Sequence, residues 1–99
     1  MRVIALSTLK AFWKQPAYRD AADPGKAWYR EALAADWSGP ADVKAAEGSA
    51  SILKDGRVVF NIAGNKYRLV VWINCPYRVV YIRFIGTHAQ YDRIDAQTI

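Results

Sequence analysis

Cysteine and histidine are nearly missing from this chain: Cys75 and His88 are each alone among 99 residues. A single thiol cannot form an internal disulfide, and a reducing compartment suits it. One Cys and one His cannot build a structural zinc site, and no His-Glu-x-x-His is present. A serine triad would require His88 to find both a nucleophile and an acid, and no spacing suggests either. Nor is there a glycine-rich phosphate loop, since Gly64 stands alone between two strand-like runs. No window approaches the roughly 20 apolar residues of a membrane-spanning helix. The opening Met-Arg-Val-Ile-Ala-Leu-Ser is too short for a signal peptide's apolar core. These absences describe a soluble cytoplasmic protein with no membrane partner, and neither a metal nor another cofactor is expected.

Acidic residues are scarce in one half only. Residues 1–50 hold seven Lys/Arg against six Asp/Glu, whereas residues 51–99 hold seven against three, Asp55, Asp92 and Asp95. The net charge of +5 therefore lies mostly on the second half, which points to a polyanionic partner. A hydrophobic content of 53% and 13% aromatics fit one folded domain spanning residues 1–99.

The first half reads as helical. Arg2–Leu6 is strand-like, and Ser7 is placed to cap a helix whose Leu9, Phe12 and Trp13 form one apolar stripe. Pro16 ends it, and Asp23-Pro24 starts a second helix. That helix presents Tyr29, Leu33 and Trp37 on one face, with Trp28, Ala32 and Ala35 beside it, until Ser38-Gly-Pro40 stops it. Asp42–Glu47 predicts one more helical turn. Aromatics at such spacing are core residues.

From Arg57 the period changes to two. Gly64-Asn65 makes a compact hairpin turn that pairs Ile62 with Tyr67, Asn61 with Arg68 and Phe60 with Leu69. Val58, Phe60, Ile62, Tyr67, Leu69, Val71 and Ile73 then share the core face, and Arg57, Val59, Asn61, Lys66, Arg68, Val70 and Trp72 the other. A second hairpin, with Asn74-Cys-Pro-Tyr77 as its loop, sets Trp72 against Val79, Leu69 against Ile82 and Arg68 against Arg83. It places Val80, Ile82 and Phe84 in the core and Tyr81 and Arg83 outside. Two turns thus converge on one outward row, Asn61–Arg68–Arg83. Thr87-His88-Ala89-Gln90 is a capping box that opens a short C-terminal helix, with His88 and Tyr91 close to the row.

Two arginines held opposite each other repel, so such a pair is built for an anion, and in a basic chain that anion is a phosphate. Metal-free RNA cleavage needs a 2′-hydroxyl nucleophile, charge stabilisation on a phosphorane and a proton for the leaving 5′-oxygen. Arg68 and Arg83 suit the charge. Lys66 adds charge at the hairpin end, His88 has the titration range for proton transfer, and Tyr91 can replace it or stack a base. No acidic residue adjoins Asn61, Lys66, Arg68 and Arg83 in the sequence pattern. The plainer readings are a hydrogen-bonding structural His88 and a Tyr91 that seals the core. Arg57 and Arg78, near strand ends, read first as solvated cations. Arg57 shares the basic face and is counted with Asn61 and Lys66 among RNA-binding residues.

The run Phe60-Asn61-Ile-Ala-Gly64-Asn65-Lys-Tyr-Arg68-Leu, followed by Tyr81-Ile-Arg83 and Thr87-His88-x-x-Tyr91-Asp92, resembles the HigB toxins of the RelE-like superfamily. Residues 1–56 match in pattern only. The resemblance implies an α+β fold, with an N-terminal strand and two helices packed on a small twisted antiparallel sheet and a short C-terminal helix. It implies an mRNA interferase acting on messenger RNA, often on the ribosome, and a cognate helix-turn-helix antitoxin with which it binds operator DNA. Carried over by position, the active site falls on Asn61, Lys66, Arg68, Arg83, His88 and Tyr91. Two other readings stay open: a non-catalytic RNA- or ribosome-binding module using the same face, and a toxin that blocks a protein such as gyrase.

Overall fold

Alternating apolar residues in the second half require a sheet with one face against helices, and the computed structural model, describing residues 1–99, has that form. Its elements are β1 (Arg2–Ile4), α1 (Leu6–Trp13), a 3-10 helix (Pro16–Ala21), α2 (Ala22–Ala34) and α3 (Pro40–Ala46). Then come β2 (Ser51–Ile52), β3 (Arg57–Ile62), β4 (Tyr67–Asn74), β5 (Val79–Thr87) and α4 (His88–Tyr91). The five strands lie in the order β1-β5-β4-β3-β2. Strands β2 to β5 are antiparallel, as expected, but β1 joins parallel to β5, making the sheet mixed. The long helical connection between β1 and the other strands permits that pairing. No helix is long and apolar enough to cross a membrane.

The inner face carries the main core. Val58, Phe60, Ile62, Tyr67, Leu69, Val71, Ile73 and Val80 are buried against Leu9, Phe12, Trp13, Trp28, Ala32 and Trp37. Aromatic pairs knit the layers: Phe12 meets Tyr67 edge-on at 5.3 Å, Trp28 meets Phe60 at 5.4 Å, and Phe12 stacks on Tyr18 at 4.5 Å.

Two helical expectations change. Ser7 is an exposed residue inside α1, whose N-cap is Ala5, because the chain turns into helix directly after the short β1. In α2 the buried stripe is Gly25, Trp28 and Ala32, so Leu33 stays 45% exposed and Tyr29 half-buried. The helix ends at Ala34, and Trp37 enters the core from the extended connection after it, stacked near Phe60 at 6.1 Å.

The first hairpin has the predicted register, with Phe60 on Leu69, Asn61 on Arg68 and Ile62 on Tyr67. Ala63 and Gly64 take positive φ in its turn, which the Lys66 backbone closes by donating to the Ala63 carbonyl at 3.2 Å. The second hairpin differs twice. Its turn is Cys75–Arg78, one residue later than the spacing implied, so Trp72 faces Tyr81 and Val71 faces Ile82. A β-bulge then inserts Arg83 between Ile82, opposite Val71, and Phe84, opposite Val70. Beyond it Leu69 faces Ile85 and Arg68 faces Gly86. The parity change turns Phe84 to the outer face and Ile85 to the inner one. No Arg68–Arg83 pair exists.

Candidate functional site

The outer face has three parts along the strands. At the hairpin end, Asn61 and Arg68 are cross-strand partners with side chains on the same side. The Arg68 guanidinium donates through Nη1 to the side-chain oxygen of Asn61, and through the same nitrogen to that of Asn65 at 2.6 Å. Asn61 in turn donates to the Ser49 carbonyl at 3.2 Å, which fixes its oxygen toward Arg68. Neutral amides orient the guanidinium without cancelling its charge. Neither ion pair of the chain involves it, and its Nε and Nη2 protons remain for a ligand.

The capping box brings Tyr91 to this arginine. Thr87 accepts from the Gln90 backbone at 3.2 Å while the Gln90 side chain accepts from the Thr87 backbone at 2.9 Å. That short helix sets the Tyr91 ring 6.0 Å from the Arg68 guanidinium carbon, within cation–π reach. His88, in the same helix, does not complete the group. Its Nε2 is buried and has no hydrogen-bond partner, so this nitrogen is sealed from a substrate arriving from solvent.

Lys66 is also redirected. Its ammonium pairs with Asp20 of the 3-10 helix, and the Tyr67 hydroxyl donates to the other oxygen of the same carboxylate. Hydrogen bonds from Lys66 and Tyr67 hold Asp20 below the usual carboxylate range. The bond to Asp20 raises Lys66, while burial, followed by Asp20, raises the Tyr67 phenol. An acidic residue distant in sequence thus occupies the cation expected to help bind RNA.

At the opposite end lie Arg57, Trp72, Tyr81 and Arg83. Arg57 faces Trp72, and Trp72 faces Tyr81, so three strands contribute to one transverse row. Trp72 stacks on Tyr81 with centroids 5.1 Å apart and planes 22° from parallel. Its indole nitrogen donates to the Asp55 carbonyl at 2.9 Å. The adjacent Gly56 has φ +82, and a Cβ there would lie 2.7 Å from the Ile73 carbonyl, so the close approach of this turn to Trp72 requires glycine. Arg57 Nη1 and Arg83 Nε both donate to the Ile99 oxygen, the latter at 3.3 Å. Asp55, Arg57, Trp72, Arg83 and Gln97 line a cavity of about 370 Å³.

Between the ends is a small apolar patch. Val59, Val70 and Ala96 are buried together, with Leu53, Phe84, Tyr91, Ile94 and Ile99 packed around them. Residues after α4 therefore lie along the face, and Gln97 pins them by two bonds to the Lys54 backbone, at 2.9 and 2.8 Å. Arg83 sits two to three residues along β4 from Arg68, about 8 Å at the usual strand rise. The expected single row is in fact two cationic sites separated by a patch. Sequence reasoning missed Asn65 and the Trp72–Tyr81 stack as functional candidates. The signals were present: Asn65 lies three residues before Arg68 across a tight turn, and alternation already put both aromatics outside.

A family model described as HigB_toxin, the RelE-like toxic component of a toxin–antitoxin system, matches residues 21–94. No curated protein matches the chain. The matched segment runs from the last residue of the 3-10 helix past α4 and includes Asn61, Arg68 and Tyr91.

Proposed function

The chain belongs to the HigB family of RelE-like toxins, the toxic components of toxin–antitoxin systems, and from that premise we propose that it is an mRNA interferase. It cleaves messenger RNA in the cytoplasm without a metal, on or off the ribosome. A cognate helix-turn-helix antitoxin neutralises it, and the pair binds its own operator DNA. The observation that carries this reading is Arg68, a guanidinium free of any carboxylate, aimed by Asn61 and Asn65 and flanked by Tyr91. A phosphorane gains most from a pre-oriented, permanently charged donor, because no reorganisation is needed as charge develops. Tyr91, whose ring lies 6.0 Å from the Arg68 guanidinium carbon, is the group to which this reading gives the proton transfer.

Inducing the protein in a bacterium and mapping transcript 5′ ends tests the proposal. New ends that vanish in Arg68→Ala support it. The sealed Nε2 of His88 favours a second reading, a non-catalytic RNA- or ribosome-binding module. Growth arrest with intact messages would select that one.

A further inference from the structure

We infer that the cavity at the far end of the outer face is a nucleotide subsite for RNA flanking the scissile phosphate. The inference rests on the reading of the Arg68 site as an RNA-cleaving centre. Two guanidinium groups from different strands, Arg57 and Arg83, already converge on one oxygen, that of Ile99. A phosphate oxygen takes that place with the same donors.

A bare anion is not the best fit, because Asp55 is among the lining residues and its charge opposes one. A ligand that combines a phosphate with hydrogen-bond donors satisfies both signs, and a nucleotide has a base amino group or ribose hydroxyl to offer. Trp72 supplies the wall on which a base stacks, and Tyr81 behind it holds the indole in place. The volume, about 370 Å³, falls in the range of small-ligand sites. Trp72 lies four residues along β4 from Arg68, about 13 Å, a span that a single strand crosses within a few nucleotides. The later turn of the second hairpin, which displaces β5 by two residues along β4, is what moves that guanidinium from the Arg68 site to this one, and the bulge leaves it between Val70 and Val71.

The experiment uses fluorescence of the full chain. Trp13, Trp28 and Trp37 are 7%, 4% and 4% exposed, so Trp72, only half-buried, is the indole that a surface ligand quenches. Titrating an uncleavable 2′-O-methylated single-stranded RNA hexanucleotide should give saturable quenching that disappears in Trp72→Phe. Arg57→Ala and Arg83→Ala should each weaken binding roughly tenfold, with circular dichroism unchanged. Unchanged affinity in both arginine variants would mean that they only fasten the chain at Ile99, and the subsite would be refuted. It is refuted equally if the hexanucleotide leaves the fluorescence flat while an acidic peptide quenches it. Transcript mapping is independent of this measurement. Cleavage without quenching removes the subsite alone, and quenching without cleavage removes the nuclease reading alone.

Discussion

Leu69 and Arg68 are neighbours in β4 and look in opposite directions, into two surroundings of different build. On the inner face, strand and helix residues together form one cluster of seventeen buried side chains. On the outer face only Val59, Val70 and Ala96 are buried together, and charged groups stand at both ends. The same strands thus supply stability on one side and unsatisfied donors on the other. Covering the outer face with a helical layer as complete as the inner one would have desolvated Arg57, Arg68 and Arg83, at a cost that ionised groups seldom recover. A narrow covering segment leaves their guanidinium groups usable.

The contrast is sharpest under substitution. Leu69→Ala, at a fully buried position, should lower stability by about 2–5 kcal/mol in urea unfolding. A loss well under 1 kcal/mol would show that the inner face is not the main source of stability. Arg68→Ala should lower transcript cleavage by about 10²–10³-fold while costing roughly 1 kcal/mol of stability or less. Toxicity equal to the parent would place the site elsewhere.

A smaller effect tests the helical side, where Glu47 follows α3. Burial, then the hydrogen bond and charge of Glu31, push Glu47 from 4.5 up to about 7. The folded chain therefore binds more protons between these values, so this group's contribution is full below about 4.5 and lost as pH rises through 7. Glu47→Gln imitates the neutral acid, and thermal melts should show a larger gain at pH 8 than at pH 5. An equal gain at both would assign it to packing instead. Smallest of all is Lys66→Ala. Its pair with Asp20 is 58% and 48% exposed at the side chains, where solvent screens the attraction, so almost no loss of stability is expected, with toxicity retained. A toxin disabled by this change would return Lys66 to the site.

How much of this was legible differs by element. The β3–β4 register was, because a short turn and strict alternation dictate the same pairing, and Asn61–Arg68 came with it. The capping box similarly announced α4 and brought Tyr91 to Arg68. The bulge was not, since an extra residue leaves no compositional mark when Arg83 and Phe84 can both face outward. Asp20 on Lys66 was invisible because the partners are 46 residues apart. The covering segment announces itself only through Ile94, Ala96 and Ile99, too sparse a pattern to distinguish from a solvated end. In α2, helical spacing allowed two adjacent stripes, and packing chose the one containing Gly25 and Trp28 over that of Leu33.

The single supernumerary residue of β5 also governs how this chain may be compared with others. Any cousin whose corresponding strand is one residue shorter must be given a gap at Arg83. Without that gap, every downstream position through Thr87 would be matched to its mirror side, and the outward Phe84 would be equated with a core position.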